Sequence, residues 1–223
     1  MTLTGRWALR KLERGGRRST QAAGRAGGFV PVGVVGCGSD NGGDSSATTT
    51  TVPGIDLAAA RTYCTSKGGT IQTRQATWGT NNPQAQWQLL GRSVEMCRFQ
   101  TLGDNDDSRI YVDLVSLYSE GPTLASVAYL SKVPTKSATV GNPAAANCAA
   151  LAGSSAFGTG AAGGGWVNKD DPVDAAVNLC VFPDQSFIDE WGITYYAGGI
   201  VRGVDLAKVF RFQPTQVPAF FGR

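Results

Sequence analysis

There is no histidine anywhere in the 223 residues of this chain. Ser-His-Asp and Cys-His catalysis are therefore excluded, and zinc hydrolysis loses its commonest ligand. No G-x-S-x-G elbow, Walker loop or S-x-x-K motif is present either, which removes most common hydrolases. Charged residues are scarce at 17%, and the basic excess sits at one end. Arg6, Arg10, Lys11, Arg14, Arg17, Arg18 and Arg25 all precede residue 37, against Glu13 alone. Taking these seven basic residues and one acidic residue from totals of 20 and 17 leaves 13 and 16, a net charge of −3. Such a remainder lacks the dense positive face that nucleic-acid binding requires. After residue 37 no apolar run approaches the ~18 residues of a membrane-spanning helix. With 42% hydrophobic residues, the chain still has enough apolar surface for a packed core.

What is present begins with an ordered N-terminus. Residues 1–25 are arginine-rich, Gly27 to Gly36 are small and apolar, and Cys37 follows. Basic, then apolar, then small is the order of a secretory signal. Val34-Val35-Gly36-Cys37 resembles the lipobox of bacterial lipoproteins, which implies a signal peptide over residues 1–36 and lipidation of the Cys37 thiol. The apolar stretch is short and broken by Pro31. Arg17-Arg18 lacks the bulky apolar residue expected after a twin-arginine pair. Gly38 to Pro53 contains almost nothing that could be buried, so residues 37–53 read as a flexible tether. The expected location is the bacterial cell envelope, with the lipid on Cys37 as the membrane contact and the domain outside the cytoplasm.

The remaining chain resembles itself. Ala59 to Cys64 followed by Gly68-Gly69 lines up with Ala144 to Cys148 followed by Ala152-Gly153. Met96-Cys97-Arg98-Phe99 lines up with Leu179-Cys180-Val181-Phe182, and Tyr111-Val112-Asp113 with Phe187-Ile188-Asp189. Two copies of one unit account for this most simply. With Cys37 set aside, four cysteines allow three pairings, and the repeat selects Cys64–Cys97 and Cys148–Cys180. Free buried thiols are the alternative; a zinc site fits poorly, because there is no CxxC pair.

Local signals predict an α+β fold of two duplicated units over residues 54–133 and 142–214, each a helix packed on a small antiparallel sheet with one internal disulfide. Asp56 caps a predicted helix over Leu57 to Lys67, and Asn142-Pro143 opens its counterpart. Pro122 starts a helix through Lys132, with Asp205 to Phe212 as a shorter one. Strands are predicted over Thr70 to Trp78, Ser93 to Gln100 and Arg109 to Tyr118, and again near Trp166-Val167, Ala176 to Phe182 and Ser186 to Tyr196. Whether the two sheets join is not readable from the sequence.

Asn142-Pro143-Ala144 leading to Cys148 and Gly153, then Cys180-Val181-Phe182-Pro183-Asp184-Gln185-Ser186 and Asp189-Glu190-Trp191, carry a family resemblance. Over about 55 residues the second unit resembles an uncharacterised family of bacterial envelope domains that bear lipoprotein signals and a hemolysin label. Residues 55–118 look like a diverged copy. The chain departs from the family at Gln185, where the turn usually has Gly, at Asn147, and in a Gly-rich insertion over Gly158 to Gly165. The resemblance implies an exported lipoprotein module of unknown activity; the label states no mechanism.

Candidate chemistry is thin. Asp104-Asn105-Asp106-Asp107-Ser108 alternates oxygen ligands, but Arg109 and Val115 stand where a calcium loop needs Gly and Glu, so a solvated turn is expected. Asp170-Asp171-Pro172 and Asp174 read the same way. Asp113, Asp189 and Glu190 could pair as acid and base, yet equivalent positions in two copies suggest a repeated structural hydrogen bond. Trp78, Asn81, Asn82 and Trp87 form an aromatic-amide loop, with Trp166 in the matching place of the second copy. Flat rings beside amides suit sugars, although tryptophans capping a core would look the same. The expectation is a non-catalytic module binding an envelope protein or glycan, needing no cofactor or metal. A histidine-free carboxylate glycan hydrolase and a secreted enzyme inhibitor are the alternatives.

Overall fold

A computed structural model describes residues 54–101, 108–133, 141–157, 160–171 and 175–216. Residues 1–53, and with them Cys37 and the tether, lie outside the described residues, as do Asp104 to Asp107 and Asp174.

Asp56 opens helix α1 (Leu57–Ser66) by accepting the Ala58 and Ala59 N–H groups, and the helix buries Ala60 and Cys64. The chain returns as strand β1 (Thr70–Trp78), antiparallel to β2 (Gln88–Gln100), which pairs in turn with β3 (Arg109–Asp113). The predicted strand through Tyr118 stops at Asp113. Its carboxylate accepts the Ser116 N–H at 2.7 Å and caps a short helix, α2 (Leu114–Tyr118). The β-branched and aromatic residues read there as strand instead turn helical behind an N-cap, and Leu114 and Leu117 are buried.

Helix α3 (Leu124–Ser131) starts at Thr123 with a reciprocal Thr123/Ser126 capping box. Helix α4 (Pro143–Ala150) has Asn142 as its cap and proline in its first turn, as predicted. There follow β4 (Ser154–Ser155), β5 (Gly164–Val167), β6 (Ala176–Val177), β7 (Leu179–Val181) and β8 (Phe187–Asp189). The predicted strand from Ser186 to Tyr196 breaks at Asp189, as the earlier one broke at Asp113, into α5 (Glu190–Ala197). Only Leu206–Lys208, a single 3₁₀ turn, forms in the predicted helix after Asp205.

The described strands form one sheet in the order β4-β7-β8-β3-β2-β1-β5-β6. At its centre β3 meets β8 through Val112 and Ile188. Moving outward on either side, Cys97 pairs with Val112 and Cys180 with Ile188; Met96 pairs with Asp113 and Leu179 with Asp189; Ile71 pairs with Cys97 and Ser155 with Cys180. The same registers therefore recur on both sides. Strands β6 and β7 lie near opposite ends of this order, yet Asn178 alone separates them. The sheet must curl until its ends approach.

Curling gives the sheet two buried faces. One carries the helices, around Cys97, Phe99, Ile110, Val112, Cys180 and Ile188. The inner face gathers Ala76, Met96, Tyr111, Trp166, Val177, Leu179 and Phe187.

Disulfides join Cys64 of α1 to Cys97 of β2, and Cys148 of α4 to Cys180 of β7. Each lies directly over a glycine. A Cβ on Gly69 would come within 2.3 Å of Cys97 Sγ, and one on Gly153 within 2.3 Å of Cys180 Sγ. Both glycines donate their N–H to the carbonyl of the helical cysteine, Cys64 or Cys148, at 2.9 Å. The close approach of sulfur to backbone leaves room for no side chain at either place.

Candidate functional site

The aromatic-amide loop is spent largely on holding itself together. Asn81 donates its side-chain amide to Ala161 O at 3.2 Å and its backbone N–H to Ala162 O at 3.0 Å. Trp87 donates its indole N–H to Asn82 O at 2.8 Å. Trp78 is 38% exposed and its ring edge lies near Gly160. These four residues are thus brought into one loop, but the Asn81 amide and the Trp87 indole are engaged internally. Trp166 does not join them. It lies on β5 opposite Ala76 of β1, buried in the inner core. The segment expected to match the loop is instead strand β5, paired with β1 and β6, so Trp166 is buried and offers no face to a ligand.

The inner face instead holds a charged cluster that the sequence did not announce. Arg74 is fully buried and donates to Asp171 Oδ2 at 2.6 Å, to Gln72 Oε1 at 2.9 Å and to Trp166 O at 3.2 Å. Arg98 reaches the same Asp171 oxygen at 3.2 Å, as does the Tyr111 hydroxyl at 3.3 Å. Asp171 is therefore no solvated turn residue. It is 5% exposed and is the counter-ion of two arginines. A charge so placed needs every partner it has, because desolvation costs several kcal/mol per ion. The cluster reads as structural, tying the 168–171 turn to β1 and β2.

The three carboxylates weighed as acid and base are dispersed among structural tasks. Asp113 accepts from Ser116 N–H, from Ser116 Oγ at 2.5 Å and from Phe187 N–H at 2.9 Å, joining β3 to β8. Burial raises its pKa to about 6, against the lowering effect of those hydrogen bonds. Asp189 caps α5 through Trp191 N–H. Glu190 is fully buried, and its carboxylate oxygens lack a hydrogen bond of ordinary geometry. Burial pushes its pKa up, and the Ser155 hydroxyl opposes that only in part.

One surface depression, of about 420 Å³, is lined by Trp191, Tyr195, Ile200 and Arg202. Helix α5 sets Trp191 and Tyr195 four residues apart on one face, with ring centroids 5.6 Å apart and planes inclined at 31°. The helix ends at Gly198. Gly199, at φ +85°, then turns the chain back so that Ile200 N–H reaches Tyr195 O at 2.9 Å. Ile200 and Val201 are left 55% and 46% exposed. The Arg202 guanidinium sits 5.5 Å from the Tyr195 ring centre and 3.9 Å from Asp189 Oδ2. Sequence reasoning used Trp191 only for its resemblance and passed over the rest. The signal available was Trp191-x-x-x-Tyr195 on a helix closed by Gly198-Gly199.

Among the described residues no cluster of His, Cys, Asp and Glu could hold a metal ion, and no helix is long and apolar enough to cross a membrane. In comparison with known proteins, the chain matches no protein family, no curated protein and no solved structure.

Proposed function

We propose that this chain is an exported bacterial envelope lipoprotein, anchored through Cys37, whose folded part is a non-catalytic recognition domain built from two copies of one unit. The observation that carries the reading is the pair of buried disulfides, closing sequence separations of 33 and 32 residues. Such bonds persist in oxidising compartments outside the cytoplasm. The N-terminal order of basic region, apolar region and Val34-Val35-Gly36-Cys37 supplies a route there. The 16 residues from Gly38 to Pro53 are polar in composition, as a tether between lipid and domain would be. Membership of the hemolysin-labelled envelope family rests on the residues from Asn142 to Trp191 quoted above.

Duplication is supported by the matched registers about Val112 and Ile188, by Gly69 and Gly153 under the two disulfides, and by Asp113 and Asp189, each closing a strand and capping a helix. Recognition rather than catalysis is supported by where the ionisable groups lie. Asp113, Asp189 and Glu190 are buried and the first two cap helices, whereas the exposed depression is aromatic and apolar with one cation. The test is lipid labelling of the full chain expressed in a bacterium. Incorporation of a labelled fatty acid that is lost in Cys37→Ser is the expected result; an unlabelled wild-type chain would overturn the anchoring.

A further inference from the structure

We infer that the depression lined by Trp191, Tyr195, Ile200 and Arg202 is a binding site for the C-terminal carboxylate of a peptide ending in an apolar residue. The inference deepens the recognition reading above and rests on it for biological context, although the site itself is defined by geometry. Arg202 is the one charged residue of the lining; its ion-pair partner, the buried Asp189, lies 3.9 Å away, beyond hydrogen-bond distance, so an anionic group can still be bonded there. Its guanidinium is partly exposed and makes no hydrogen bond; Asp189, 3.9 Å away, and the Tyr195 ring, at 5.5 Å, orient it without occupying its fork of donors. A carboxylate accepts that fork through two parallel bonds.

The rest of the lining decides what stands behind the carboxylate. Trp191, Tyr195 and Ile200 form an apolar wall, with Val201 exposed beside it. None of the four lining residues has an amide or carboxyl side chain to bond the hydroxyls of a sugar ring. A buried hydroxyl without a partner is costly, and an apolar side chain needs none. A volume near 420 Å³ is of the size that takes a small ligand or the last residues of a peptide. The surface thus fits a chain end, apolar in its last side chain and ionised at its terminus, better than it fits a saccharide.

The oxidised full-length protein would be titrated with N-acetyl-Ala-Ala-Leu as free acid and as C-terminal amide, followed by tryptophan fluorescence and calorimetry. The acid should bind at least ten times more tightly than the amide. Arg202→Gln should erase that preference; because the side chain is only 21% exposed and stands 3.9 Å from Asp189, the variant's fold is checked by circular dichroism before titration. Tyr195→Ala should weaken both peptides, and Trp191→Phe should abolish the fluorescence change but not the heat of binding. Equal affinity for acid and amide, a preference that survives Arg202→Gln, or tighter binding of an acidic oligosaccharide than of the peptide acid would each overturn the inference. Labelling of Cys37 is read independently, so failure here and failure of the anchoring are told apart.

Discussion

Removing either disulfide should cost nearly the same amount of stability, because the two loops are nearly the same length. On the chain-entropy argument, closing a loop of 33 or 32 residues removes about 3.7 kcal/mol of denatured-state entropy at 25 °C in either case. All four sulfurs are fully buried, so replacing a pair by alanine also removes packed atoms, adding roughly 1 kcal/mol per site at most. Each double variant, Cys64→Ala/Cys97→Ala and Cys148→Ala/Cys180→Ala, should therefore lose about 4–6 kcal/mol. That is a large part of the ~5–15 kcal/mol total of an ordinary domain. The assay is urea denaturation followed by far-UV circular dichroism, under conditions where wild type stays oxidised. The single variant Cys64→Ala should lose nearly as much as its double, since the bond is gone in both and the two effects do not add. A loss under 1 kcal/mol for either pair, or a gap above about 2 kcal/mol between them, would refute the reasoning that loop closure dominates.

Three further outcomes follow from the buried polar groups and one strained turn. Arg74→Met removes the shorter of the two ion pairs described for Asp171 and should destabilise by about 3–5 kcal/mol in the same denaturation assay; a change below 1 kcal/mol would show the ion pair to be dispensable. Asp113, raised from 3.8 to about 6, favours the fold while protonated, so its contribution is complete below pH 4 and is lost as the pH rises through 6. The advantage of wild type over Asp113→Asn should accordingly be about 2 kcal/mol larger at pH 4 than at pH 7, measured as a difference because Glu190 titrates in the same direction. A pH-independent difference would place the Asp113 carboxyl outside the low-dielectric interior. Gln185 holds φ +68° in the turn between β7 and β8, where a side chain costs about 1 kcal/mol, so Gln185→Gly should raise stability by roughly 0.5–1 kcal/mol in thermal melts. A lowered melting temperature would mean the Gln185 side chain contributes more than its backbone strain removes.

The left-handed Gln185 also shows how a turn that favours glycine accommodates a side chain. The turn keeps its geometry, with Gln185 N–H on Phe182 O at 2.9 Å and Asp184 bonding Ser186, and accepts the strain. Other features were legible because their causes are local. Asp56 before Leu57, Pro143 after Asn142 and the glycines after each cysteine-bearing helix act over one turn of chain. Asp113 and Asp189 carried an equally local signal, an aspartate ahead of apolar residues. Strand propensity outweighed it on paper, and the cap prevails in the fold because it satisfies backbone donors that the strand end leaves open. The aromatic groove was not read, since it needs the reversal at Gly199 to bring Ile200 and Arg202 beside Tyr195.

By itself the sequence determined the α+β class, both disulfide pairings, the positions of the capped helices and the absence of histidine chemistry. These follow from composition, from the spacing of like segments and from contacts within a few residues. Tertiary structure alone decided that the strands join in one sheet, that β5 adds to β1 and buries Trp166, and that Arg74 and Arg98 share Asp171 across 97 and 73 residues of chain. Partners that distant are chosen by the curl of the sheet, which brings its ends together, and no local pattern encodes which end a strand will reach.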